Sequence, residues 1–253
     1  MQKIHHHLKT IIKSFTLTTP VAILLGAVII SGGLMGYGYI TTNNSSNNSA
    51  NPLPKILKSI KVKEKAFTEC VNSEKASSTV ALSLKDGVQA GVNGTPSTFI
   101  LVEKDGVQYV VGDMIVGNPG AEFIQQMINE ALSPNSGIKL QPFKGKPITS
   151  ADLQESTTPT NVYIVEYSDA ECPYCIGLHS DMKKIRTDNT GKISFVYRNF
   201  PLPPYLHKHA KAEAQMIFCA GELGGAKGMY RYLDETFDWK AKNNIGFMTL
   251  ESK

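Results

Sequence analysis

The sequence predicts an α/β domain carried outside a membrane on one N-terminal helix. Three observations predict it. An uncharged apolar run covers Pro20 to Ile40. Short apolar strand-like segments then alternate with helical patterns. A Cys-Pro-Tyr-Cys motif at residues 172–175 falls where a strand gives way to a helix.

The apolar run comes first in the chain. Met1 to Phe15 carries Lys3, Lys9 and Lys13 and no acid. The run suits one crossing of a bilayer core, which takes roughly 20 residues. Lysines before it and none close after it orient residues 1–19 to the cytoplasm and the rest of the chain to the far side. A cleaved signal peptide has a shorter apolar core, and Ser31-Gly32-Gly33 lies inside this one, so an uncleaved anchor over residues 20–40 is expected. Gly32 and Gly36 have the spacing of a packing pair, but ordinary glycine content of a membrane helix explains them as well. His5-His6-His7 is too short a tract to read as a metal site. Residues 41–52 are rich in Thr, Asn and Ser and read as a flexible tether. The domain beyond it would lie where disulfides persist.

The net charge of +4 is mild, and no basic patch with interleaved aromatics is present, which argues against a nucleic-acid binder. Residues 53–132 form a first block. Pro54–Ile60, Lys63–Asn72 and Ala76–Ala90 have helical spacing, Ser97–Val102 and Val107–Val111 flank the turn Lys104-Asp105-Gly106, and Ala121–Leu132 is an amphipathic helix. Residues 133–160 show little periodicity and read as a linker. In the second block, 161–253, Val162–Tyr167 is an apolar strand, a helix runs from the CPYC motif to about Ile185, and Ile193–Tyr197 centres another strand. His207–Gly221 and Ala226–Phe237 read as helices. Asp238–Lys253 is poorly patterned.

The motif has several readings. Haem attachment needs His directly after the second Cys, where Ile176 stands. Structural zinc needs four ligands, and His179, one turn beyond Cys175, keeps that reading open. A structural disulfide across so small a loop would restrain the unfolded chain little. Redox chemistry fits best. A Cys at a helix N-terminus has its thiolate favoured by free N–H groups and the helix dipole, and Pro173 suits the first helical position. Cys172 is therefore expected to carry the mixed disulfide and Cys175 to resolve it. His207 and His209 read as surface or helix-start groups, and Lys183, Lys184 and Arg186 as a solvated helix face.

The stretch Val165-Glu166-Tyr167-Ser168-Asp169-Ala170-Glu171-Cys172-Pro173-Tyr174-Cys175 resembles the active-site segment of DsbA-like proteins of the thioredoxin superfamily. Phe195-Val196-Tyr197-Arg198-Asn199-Phe200-Pro201-Leu202 resembles the strand and turn that follow, and Gly94-Thr95-Pro96 the family's cis-proline loop. The resemblance implies a thioredoxin-like fold with a helical insertion. It implies a cis Pro96, Thr95 offering backbone groups to a substrate strand, and Glu166 as a buried acid handling the proton of Cys175. It also implies a structural disulfide between Cys70 and Cys219, against the alternative of two buried free thiols. Tyr174 stands where the family often has His, and that dipeptide tunes the redox potential, so oxidant and reductant both stay open. No cofactor or metal is implied. The implied partners are exported proteins bearing cysteines and a membrane-bound recycling partner. The halves occur in reversed order, since Pro96 precedes Cys172. Joining Lys253 to about Pro52 would restore the usual order. A circular permutation cut inside the helical insertion is expected, with a swapped dimer or a gene-assembly error as alternatives. A non-catalytic binding or chaperone module using the same groove is the competing function.

Overall fold

A computed structural model describes residues 51–133, 137–156 and 160–243. The predicted anchor and the head of the tether lie outside these residues. Among the described residues no helix is long and apolar enough to cross a membrane.

Three helices open the domain: α1 (Leu53–Ser59), α2 (Glu64–Val71) and α3 (Glu74–Ala90). The Ser73 hydroxyl caps α3 by accepting from the Ala76 N–H at 3.1 Å. Strands β1 (Ser97–Lys104), β2 (Val107–Val111) and β3 (Ile115–Val116) follow, then α4 (Ala121–Leu132) and two short strands, β4 (Leu140–Pro142) and β5 (Gln154–Glu155). The second half holds β6 (Val162–Ser168), α5 (Pro173–Asp188), β7 (Ser194–Asn199) and α6 (Ala210–Asn243).

These strands make one sheet in the order β4-β2-β1-β6-β7-β5, with β3 also on β1. Only β6 and β7 run parallel, joined by the crossover helix α5. The middle of the sheet is where the two halves of the chain meet, with β1 against β6 from Ser97↔Tyr167 to Val102↔Val162. Strand β6 is buried on both faces, as a strand covered on both sides must be. One face carries Ile164, Phe195 and Tyr197 against α4, α5 and α6. The other carries Val165, Tyr167 and Val196 against Phe99, Ile148 and Phe200. The structure is thioredoxin-like in this mixed α/β arrangement.

Three sequence expectations change. Residues 133–160, read as a linker, supply both outer strands of the sheet. Between them, Ile148 is fixed by the Gln108 side chain, which accepts from its N–H and donates to its carbonyl, each at 2.8 Å. Strands of two or three residues are too short for side-chain periodicity to reveal. The tail from Asp238 is helical through Asn243. The two helices expected on either side of Gly225 are both present, parted at that residue, whose φ of 65° favours glycine. Arg186 does not belong to a solvated face. It is 8% exposed, 2.5 Å from Asp234 and 3.0 Å from Glu155, and stands over the Phe195 and Tyr230 rings. Its partners lie far away in the chain, so local spacing could not reveal them. Lys183 and Lys184 are the solvated members of that group.

Candidate active site

Strand β6 delivers the chain at Ser168 to a three-residue loop, and the loop is held at every residue. The buried Asp169 carboxylate accepts from the N–H groups of Glu171 and Leu202, both at 2.8 Å, and lies 2.9 Å from His207 Nδ1. The Ala170 carbonyl accepts from the ammonium of Lys240 at 2.7 Å. The Glu171 carboxylate accepts from the His209 N–H. Lys240 is 1% exposed and ion-paired with the equally buried Glu213. Burial pushes the Lys240 pKa down, and Glu213 opposes the shift.

Cys172 is the N-cap of α5, with extended backbone, and Pro173 occupies the first helical turn. Cys172 and Cys175 are free thiols, both buried. The Cys172 thiol lies 3.3 Å from the Thr95 carbonyl. A hydrogen bond from the Cys175 thiol, outweighing burial and helped by the N–H groups of Cys175 and Tyr174, lowers the Cys172 pKa to about 6. Burial drives the Cys175 thiol the other way, well above its ordinary value, and the neighbouring Cys172 adds to this. The Asp169 N–H points at Cys175 Sγ from 3.5 Å. One thiol is thus poised as a thiolate beside one that holds its proton. Tyr174 is 70% exposed at the rim.

The Thr95–Pro96 peptide bond is cis. Pro96 leads directly into β1, and its carbonyl accepts from the Gly117 N–H at 2.9 Å. Thr95 and Pro96 therefore face the CPYC turn although they precede it in the chain. Glu166, 2% exposed, sits on the α5 side of β6, with Thr98 and Tyr197 opposite it on the two neighbouring strands. Burial raises its pKa. Cys70 and Cys219 form a disulfide with a Cα–Cα separation of 5.9 Å, joining α2 to α6. His179, the potential third zinc ligand, instead bonds Asp234 at 2.9 Å and stacks on Phe237. His207, read as a surface or helix-start group, stands just before α6, tied to Asp169 and largely covered. Sequence reasoning missed Lys240 and Asp169 as supports of the loop. A Ser-Asp pair between the apolar strand and the motif was a signal for Asp169. Lys240 gave none.

A family described as thioredoxin matches residues 157–245. That segment is thioredoxin-like. It contains the CPYC motif, Glu166, β7 and the whole of α6. A second comparison gives 36% identity over 72 residues with Na(+)/H(+) antiporter NhaA 1 of Salinispora arenicola (strain CNS-205), covering 28% of this chain. The chain spans only 11% of that antiporter's length. A thioredoxin-like segment with two adjacent thiols of opposite proton affinity has the parts for thiol–disulfide exchange.

Proposed function

We propose that the chain is a membrane-anchored, extracytoplasmic thiol–disulfide oxidoreductase of DsbA-like type, with its halves circularly permuted. The observation that carries this reading is the contrast between Cys172 and Cys175 at the head of α5. In the oxidised enzyme, a thiolate of an exported protein attacks Cys172 Sγ. The Cys172–Cys175 bond breaks, a mixed disulfide forms, and the electron pair leaves on Cys175. A second substrate thiolate then attacks the substrate sulfur and releases Cys172 as a thiolate. Two electrons have passed to the cysteine pair, and a membrane-bound partner must remove them.

A low-pKa Cys172 stabilises the reduced pair, which favours the oxidant direction over reductase or isomerase work. Thr95 and Pro96 are the groups against which the substrate strand would lie, and Tyr174 and Pro173 would border it. The pairing of β1 with β6 joins the two reversed halves in one sheet, which supports permutation. The lysine-flanked apolar run over residues 20–40 supports the anchor and its orientation. Oxidative refolding of a reduced protein and reduction of insulin, each with Cys172→Ser as control, test the activity. Equal activity in wild type and variant would sink it. A strongly reducing potential for the Cys172–Cys175 pair would keep the site and reverse the direction.

A further inference from the structure

The α5 side of the sheet holds a polar cluster that the exchange reaction itself does not explain. Side chains on a strand alternate, so Glu166 and Ser168 share the face that α5 covers. Register sets Thr98 of β1 and Tyr197 of β7 opposite Glu166. Thr98, Ser168 and Tyr197 are all at most 7% exposed. Their hydroxyls make no well-formed hydrogen bond among the described residues. Three such groups around one buried carboxyl is costly, since a buried polar group without a partner is destabilising. The Ser168 hydroxyl is near enough to Glu166, Tyr197 and Cys175 to favour the ionised form of each. It is thus a neighbour of both the buried acid and the buried thiol, and a hydroxyl can accept one proton while giving another.

We propose that Ser168 is a further catalytic residue, whose hydroxyl relays the proton between Glu166 and Cys175. This rests on the redox reading of the cysteine pair. When a substrate thiolate attacks Cys172 and the Cys172–Cys175 bond breaks, Cys175 leaves as a thiolate. It takes the Ser168 hydroxyl proton, and Ser168 takes one from the protonated carboxyl of Glu166. One proton has moved from Glu166 to Cys175, and the reverse path returns it when the disulfide re-forms. Tyr197 stays a neutral hydroxyl, because burial and the nearby Glu166 raise its pKa. The other titratable or charged groups around Glu166 are Cys175, His179 and Arg186 from α5, Asp169 from the loop and Tyr230 from α6.

The test is the pH profile of mixed-disulfide formation and resolution, measured by rapid mixing of the purified full-length chain in detergent with a cysteine peptide. Ser168→Ala is expected to slow both steps on the order of 10²-fold near neutral pH, the usual scale for a proton-transfer group. The loss should shrink at alkaline pH, where solvent base and a free thiolate replace the relay. Ser168→Thr, which keeps the hydroxyl and suits a strand, should restore most of the rate. Glu166→Gln should be as slow as Ser168→Ala, and the double variant no slower than either, since they act on one path. An unchanged profile in Ser168→Ala overturns the relay, as does a Ser168→Thr variant as slow as the alanine. An active wild type with such results keeps the redox function. An inert wild type removes both. Thr98→Ala, at the same carboxyl but off the line to Cys175, controls for loss of packing and should leave the profile's shape unchanged.

Discussion

The thiol of Cys172 donates to the carbonyl oxygen of Thr95 across 3.3 Å, linking residues 77 positions apart in the chain. The reactive turn and the cis-proline loop are thus in contact before any substrate arrives. Ionisation of Cys172 removes the donor and gives this bond up.

Cys172 should be the sulfur that reacts with iodoacetamide at neutral pH, and Cys175 should resist. Thiolate absorbance of the reduced protein should rise with a midpoint at about pH 6. The folded pKa lies below the unfolded one, so ionised Cys172 favours the folded, reduced state. That contribution is complete above the unfolded thiol value and fades as pH falls through about 6. The stability advantage of reduced wild type over Cys172→Ser should shrink over the same interval in urea titrations. A midpoint near that of a free thiol would contradict the assignment.

The Cys70–Cys219 bridge closes a sequence separation of 149 residues and ties the first half of the chain to the second. Its removal in Cys70→Ser/Cys219→Ser should cost about 2–5 kcal/mol in denaturant unfolding. The pH at which Cys172 ionises should not move, since the bridge lies between α2 and α6, away from the motif.

Lys240→Met should destabilise the fold by about 3–5 kcal/mol, because it strips a buried carboxylate of its counter-charge. Combining it with Glu213→Leu should recover most of the loss. If the single and double variants unfold at the same urea concentration, the pair is not the source of the effect.

Gly87→Ala offers a sharper check on packing. Alanine in a helix interior is ordinarily better than glycine by about 1 kcal/mol. Here a Cβ would come within 2.4 Å of the Phe200 ring and 3.0 Å of Tyr167. The substitution should therefore destabilise by about 1–3 kcal/mol, as overpacked cores do. A rise in melting temperature would mean that Phe200 can step aside.

The long elements were legible in the sequence because their cause is local. Val162–Tyr167 is apolar on both faces, so it reads as an inner strand, and Cys172-Pro173 reads as a helix start. The reversed order of the motifs was legible as well. What escaped is carried by pairs distant in the chain. Arg186 meets Glu155 and Asp234, and Lys240 meets Glu213. Each charge looks solvated within its own helix, and only the folded arrangement buries it. Residues 140–155 escaped for a different reason, since their order comes from backbone pairing at sheet edges and from Gln108, not from a pattern of apolar side chains.

The adjacency of β1 and β6 also governs the order of events during synthesis. A ribosome makes Ser97–Lys104 long before Val162–Ser168. Until then β1 has β2 on one side and an open row of N–H and C=O groups on the other, the kind of edge that invites pairing with foreign strands. The nascent chain must keep this buried strand from such company through some sixty residues of further growth. Its hairpin can close early, but the middle of the sheet waits for the second half of the polypeptide.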